Sequence, residues 1–111
     1  MKDKIKFDYN SDEKSIIIKS ITMLRNELLS QERDVAVIDD ILLKFSDGNR
    51  VELDIYEYKI VIGALNDLRT SIKEQQQSPI EVSNIILRMI DEISKKKVLS
   101  RILRKDNGRR Y

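Results

Sequence analysis

The side chains that could do chemistry in this chain are carboxylates, lysines and arginines, because the usual catalytic and metal-binding types are missing. There is no histidine and no cysteine among its 111 residues. The commonest general base near neutral pH, the commonest transition-metal ligand and any thiolate site are therefore excluded. A serine nucleophile would need a lysine base, and no such pair stands in a recognisable context. The three glycines, Gly48, Gly63 and Gly108, are isolated, so no glycine-rich phosphate loop can form.

One acidic group is worth weighing as a Mg²⁺ site: Asp39, Asp40, Asp47, Glu52 and Asp54. Asp40 followed by Glu52-Leu53-Asp54 approaches the acid, acid-x-lysine spacing of some metal-dependent nucleases. Asp54 stands where that pattern needs lysine, and it has a simpler use as a helix cap. Solvated loop acids explain the rest. No catalytic residue, cofactor or metal is expected, and no small-molecule substrate is inferred.

The basic side chains are more unevenly placed. Net charge is only +2, but residues 1–94 hold 13 Lys/Arg against 18 Asp/Glu, and residues 95–111 hold eight against one. An acidic body thus carries a basic end made of Lys95, Lys96, Lys97, Arg101, Arg104, Lys105, Arg109 and Arg110. On a helix, Lys97, Arg101, Arg104 and Lys105 share a side and could track phosphates. Cations near a helix C-terminus also complement its dipole, a structural role that needs no ligand. No helix-turn-helix, zinc or RNA-recognition pattern is present to support sequence-specific reading.

Interleaved with these cations is an apolar cluster, Val98, Leu99, Ile102 and Leu103, rotated from the stripe that precedes it. If the helix runs on past the body, the cluster has no partner within the chain and marks a protein–protein contact, a symmetric dimer being the commonest form. If the end folds back, the cluster packs on the N-terminal strand.

The elements that must position these groups follow from periodicity. Ile5, Phe7 and Tyr9 alternate with charged residues, the period of an edge strand. Asn10 or Ser11 caps a helix to about Ser30 with a stripe of Ile17, Ile21, Leu24 and Leu28. Asp54 and Glu57 form a capping box for a central helix whose stripe is Tyr58, Val61, Leu65, Leu68 and Ile72. Tyr58 belongs to the core, and Tyr56 either rims it or offers a stacking surface. Gly63 inside this helix suggests close approach of a neighbouring element. Ser78-Pro79-Ile80-Glu81 opens a last helix with Val82, Ile86, Met89 and Ile93 facing inward.

Residues 35–55 admit two readings. Val35, Val37, Ile41, Leu43 and Phe45 share a parity, and Asp47-Gly48-Asn49 makes a hairpin turn that sets Phe45 opposite Val51. Val35, Ile38, Leu42 and Phe45 also fit a helical stripe, and Asp39 would lie on the strand's apolar side. The agreement between turn and parity favours the hairpin.

The expectation is an α+β fold of order β-α-β-β-α-α, a small antiparallel hairpin or sheet on three helices, with a mainly α bundle as the alternative. Residues 1–94 form one globular domain and 95–111 a basic helical extension or tail. No apolar run reaches the roughly 18 residues of a membrane span, and no secretory h-region follows the N-terminus, so the expected location is cytoplasmic. The expected function is a non-catalytic regulatory or interaction protein that binds another protein or itself as a homodimer, of the kind found in bacterial or phage accessory loci. The alternative is a nucleic-acid-binding accessory protein that uses the basic end.

Overall fold

A computed structural model describes residues 4–108, with side chains described through Lys96. The element order is β1 (Ile5–Asp8), α1 (Ser11–Ser30), α2 (Ala36–Phe45), β2 (Arg50–Leu53), α3 (Ile55–Glu74) and α4 (Ile80–Gly108). The fold is α+β, with a two-stranded antiparallel sheet.

Within that class, the hairpin expectation is corrected. Residues 36–45 are helical, so the order is β-α-α-β-α-α, and β2 pairs with the N-terminal strand in the register Ile5↔Leu53, Phe7↔Val51. The physical reason lies in which residues find the core. Ile38, Ile41 and Phe45 are buried at helical spacing, whereas Leu43, which the strand parity would turn inward, is 68% exposed. Asp39, awkward on a strand, points off the helix to Arg25, with Nε to Oδ1 at 2.6 Å. The turn at Gly48 is real, with φ +66°, but it joins a helix to a strand.

β1 turns Ile5 and Phe7 inward and Lys6 and Asp8 outward, and β2 does the same with Val51 and Leu53 against Arg50 and Glu52. The ladder continues one step past β1, where the Tyr9 N–H donates to the Asn49 carbonyl at 3.0 Å. Over this inner face sit Tyr58 and Phe45: Tyr58 meets Phe7 edge-on at 6.4 Å between ring centroids, and Tyr9 meets Phe45 at 5.4 Å. Such pairs add to what area burial alone supplies.

α3 lies at the centre, packed against α1 and α4 and touching β2. Its start is the expected capping box: the Asp54 carboxylate accepts from the Glu57 N–H at 2.8 Å, and Glu57 Oε1 accepts from the Asp54 N–H at 3.0 Å. Tyr58, Val61, Leu65 and Leu68 are buried along the stripe, with Ala64 beside them. Gly63 departs from its expected role. It is exposed, and a methyl group at its Cα would meet nothing within 4 Å, so no neighbour approaches there.

α1 begins with a second capping box, Asn10 with Glu13. Both α1 and α3 end in the same way without glycine. Glu32 and Gln76 take φ of 57° and 58°. The following N–H groups of Arg33 and Gln77 then reach back to the carbonyls of Leu28 and Ile72 at 2.9 and 3.1 Å. These are Schellman closures, which satisfy carbonyls that would otherwise lack partners. α4 starts one residue later than the Ser78 cap implies. Its first bond runs from the Ser83 N–H to the Pro79 carbonyl at 2.9 Å.

Candidate functional site

Of the residues expected to bind a partner, all but Arg109 and Arg110 fall on the last helix. Its inward face is Val82, Ile85, Ile86, Met89 and Ile93, all buried. Lys95 is exposed and forms ion pairs with Asp91 at 3.2 Å and Glu92 at 3.6 Å, one turn back on the same helix. The Asp91 carboxylate, with Glu92 behind it, raises the Lys95 pKa above its ordinary 10.5, so this cation stays charged. Lys96 is half-buried. The side chains of Lys97, Arg101, Arg104 and Lys105, and of Val98, Leu99, Ile102 and Leu103, lie outside the described side chains, although α4 is helical through Gly108. Arg109 and Arg110 lie outside the described residues altogether.

The carboxylates near the second strand do not come together. Asp39 is held by Arg25, Asp40 and Asp47 are exposed, Glu52 points off the outer face of β2, and Asp54 caps α3. Among the described residues, no three acids are placed to hold a metal ion. Tyr58 is fully buried, and burial pushes its hydroxyl pKa well up, with the charges of Glu92 and Asp8 adding to the effect. Tyr56 is 61% exposed and does not rim the core.

One polar cluster was not legible in the sequence. Arg88, on the flank of α4, reaches over the end of β1. Its guanidinium donates to the Asp8 carbonyl at 2.5 Å, pairs with Glu13 and lies 4.8 Å from the Phe7 ring centroid, a cation–π contact. Arg50 of β2 binds the Asp8 carboxylate at 2.5 Å. Burial opposes ionisation of Glu13, but the Arg88 bond and the Asn10 N–H outweigh it and hold its pKa below the usual value. The bond from Arg50 does the same for Asp8, against a smaller opposing effect of burial.

The result is a clasp tying α4 and α1 to the sheet, beneath an open depression of about 640 Å³. Two arginines face two acids there, so the charges cancel locally. The arrangement fixes α4 against the body and leaves little net field to draw a charged ligand. An arginine between Leu87 and Met89 was its one signal, and spacing could not name partners some 75 to 80 residues away.

Compared with protein families, with curated proteins and with solved structures, the chain matches none. Its function must be argued from its own residues. Among the described residues, no helix is long and apolar enough to cross a membrane.

Proposed function

We propose that this chain is a small cytoplasmic interaction protein without catalytic activity, regulatory in role, which binds another macromolecule through the C-terminal half of α4. The observation that carries this reading is the length of α4. The helix runs to Gly108, while Ile93 is the last of its described residues in the core. At 1.5 Å per residue, about 22 Å of helix follows that point. The long dimension of the molecule, 56 Å against 31 and 27 Å, fits an arm of this kind. The arm carries Val98, Leu99, Ile102 and Leu103, which suit a protein partner, another chain or a copy of this one.

The test compares the wild-type chain with a Leu99→Asp, Ile102→Asp variant, immobilised and exposed to extracts of bacterial cells. The expected result is a specific captured protein that the variant loses while its melting curve is unchanged. Equal capture by both forms overturns the reading.

A second reading rests on the charge of the basic end, eight Lys/Arg against one acid over residues 95–111. Neutralising phosphates releases counterions, so binding of this origin weakens steeply with salt. Fluorescence anisotropy with a short DNA duplex tests it. Absence of binding at low salt removes the reading, as does binding that survives in a chain cut after Ser94.

A further inference from the structure

The outward side of α4 carries large apolar residues among the polar Asn84, Asp91 and Ser94. Ile80 and Leu87 are 65% and 63% exposed, opposite the buried Val82, Ile85, Met89 and Ile93, and Ile90 on the flank is 44% exposed. At 3.6 residues per turn, positions 80, 87 and 94 fall on nearly one line with Asp91 beside them, and Val98 and Ile102 continue it. The clasp of Arg88 on β1 and α1 fixes the rotation of α4, so this line is held away from the body.

We propose that a second copy of this chain packs on that face, the two α4 helices antiparallel and crossing at Ser94. This rests on the reading above, that the second half of α4 meets a macromolecule, and names the macromolecule. Charge argues for it. Residues 80–94 carry three acids and one base, and residues 95–108 carry six bases and one acid. A parallel pair would set the two basic halves side by side. An antiparallel pair sets each basic half against the acidic half of the other helix. The surface is therefore complementary to itself, as a two-fold contact requires.

Length gives the same axis independently. Ser94 is the midpoint of Ile80–Gly108, small and exposed, and can let two helices approach. A dyad there places Ile90 opposite Val98 and Leu87 beside Ile102, joining the exposed residues of one copy to apolar positions of the other.

The chain has no cysteine, so single introduced thiols report on distance. Two copies of Ser94→Cys would meet at the axis and form a disulfide-linked dimer under mild oxidation. Asn84→Cys is also exposed, but in the antiparallel pair its two copies lie about 30 Å apart and stay unlinked. Sedimentation of the wild type should give a dimer that weakens with salt. Leu87→Asp with Ile90→Asp should weaken it at least about tenfold with no change in melting curve, since both residues are exposed in the single chain.

A monomer at the highest soluble concentration overturns the proposal. So does Asn84→Cys linking as readily as Ser94→Cys, or a double Asp variant that folds and remains dimeric. If that variant fails to fold, the thiol pair decides alone. A monomer that still captures another macromolecule through residues 95–111 ends the dimer and spares the broader reading. A monomer that captures nothing ends both.

Discussion

Replacing Glu57 separates two interactions that one side chain makes in opposite directions. Its Oε1 accepts the Asp54 N–H at 3.0 Å, closing the cap of α3. Its Oε2 pairs with Lys44 of α2 at 2.5 Å, with side chains 11% and 34% exposed. Glu57→Ala removes both. The cap bond contributes about 1 kcal/mol. The ion pair contributes about 1 kcal/mol as well, because Lys44 is exposed enough to return to water when its partner is lost. The total is about 2 kcal/mol. Glu57→Gln keeps an oxygen for the Asp54 N–H and loses only the charge, so its cost is about 1 kcal/mol or less. Urea unfolding followed by circular dichroism measures both, with slopes compared to confirm that the unfolded states match. A cycle with Lys44→Met should return a coupling of about 1 kcal/mol that vanishes when Gln stands at 57. Equal costs for Ala and Gln would refute the cap, and zero coupling to Lys44 would refute the pair.

Other outcomes follow from single positions. Phe45→Ala should cost about 3–5 kcal/mol and Leu43→Ala no more than about 0.5 kcal/mol, measured by the same unfolding, because only the first is in the core. Gly63→Ala should stabilise by about 1 kcal/mol, since the methyl group enters open space on a helix. Glu32→Gly and Gln76→Gly should each raise the melting temperature by relieving a positive φ at a helix end. Glu13 has a folded pKa below its ordinary 4.5, so its contribution is full above that value and is lost as pH falls through the lowered one. An Arg88→Met variant should therefore lose less stability on acidification than the wild type, read as the shift in urea midpoint.

The legible part of the fold is the part whose signals are local. Asp54 and Glu57 announce α3 within four residues, and the stripe from Tyr58 to Leu68 confirms it along one helix face. Residues 35–45 carry both periods at once. What chooses between them is the fit of Ile38, Ile41 and Phe45 against the rest of the core, which no window of sequence contains. The α2–β2 turn was correctly placed at Gly48, yet a turn does not say whether a helix or a strand enters it. The polar residues after Ser30 and Lys73 marked the ends of α1 and α3, but the positive φ at Glu32 and Gln76 gave no signal because glycine usually marks that conformation. On α4, Lys95 was legible as a cation, but its pairing with Asp91 and Glu92 shows that part of the basic end serves the helix itself. The role of Arg88 is not legible in sequence because its partners, Asp8 and Glu13, are distant along the chain and adjacent only after the fold has formed.

The pairing of β1 with β2 also orders events during synthesis. β1, Ile5–Asp8, has no partner until Arg50–Leu53 has followed it, and Arg88 arrives later still to fasten it. Before then the growing chain can form the neighbouring helices α1 and α2, whose contacts are local, while Ile5 and Phe7 wait uncovered. A chain released before Arg88 would thus present an apolar strand with nothing to hold α4 over it, a species prone to association by its edge. β1 is made before the strand it pairs with and is fastened last.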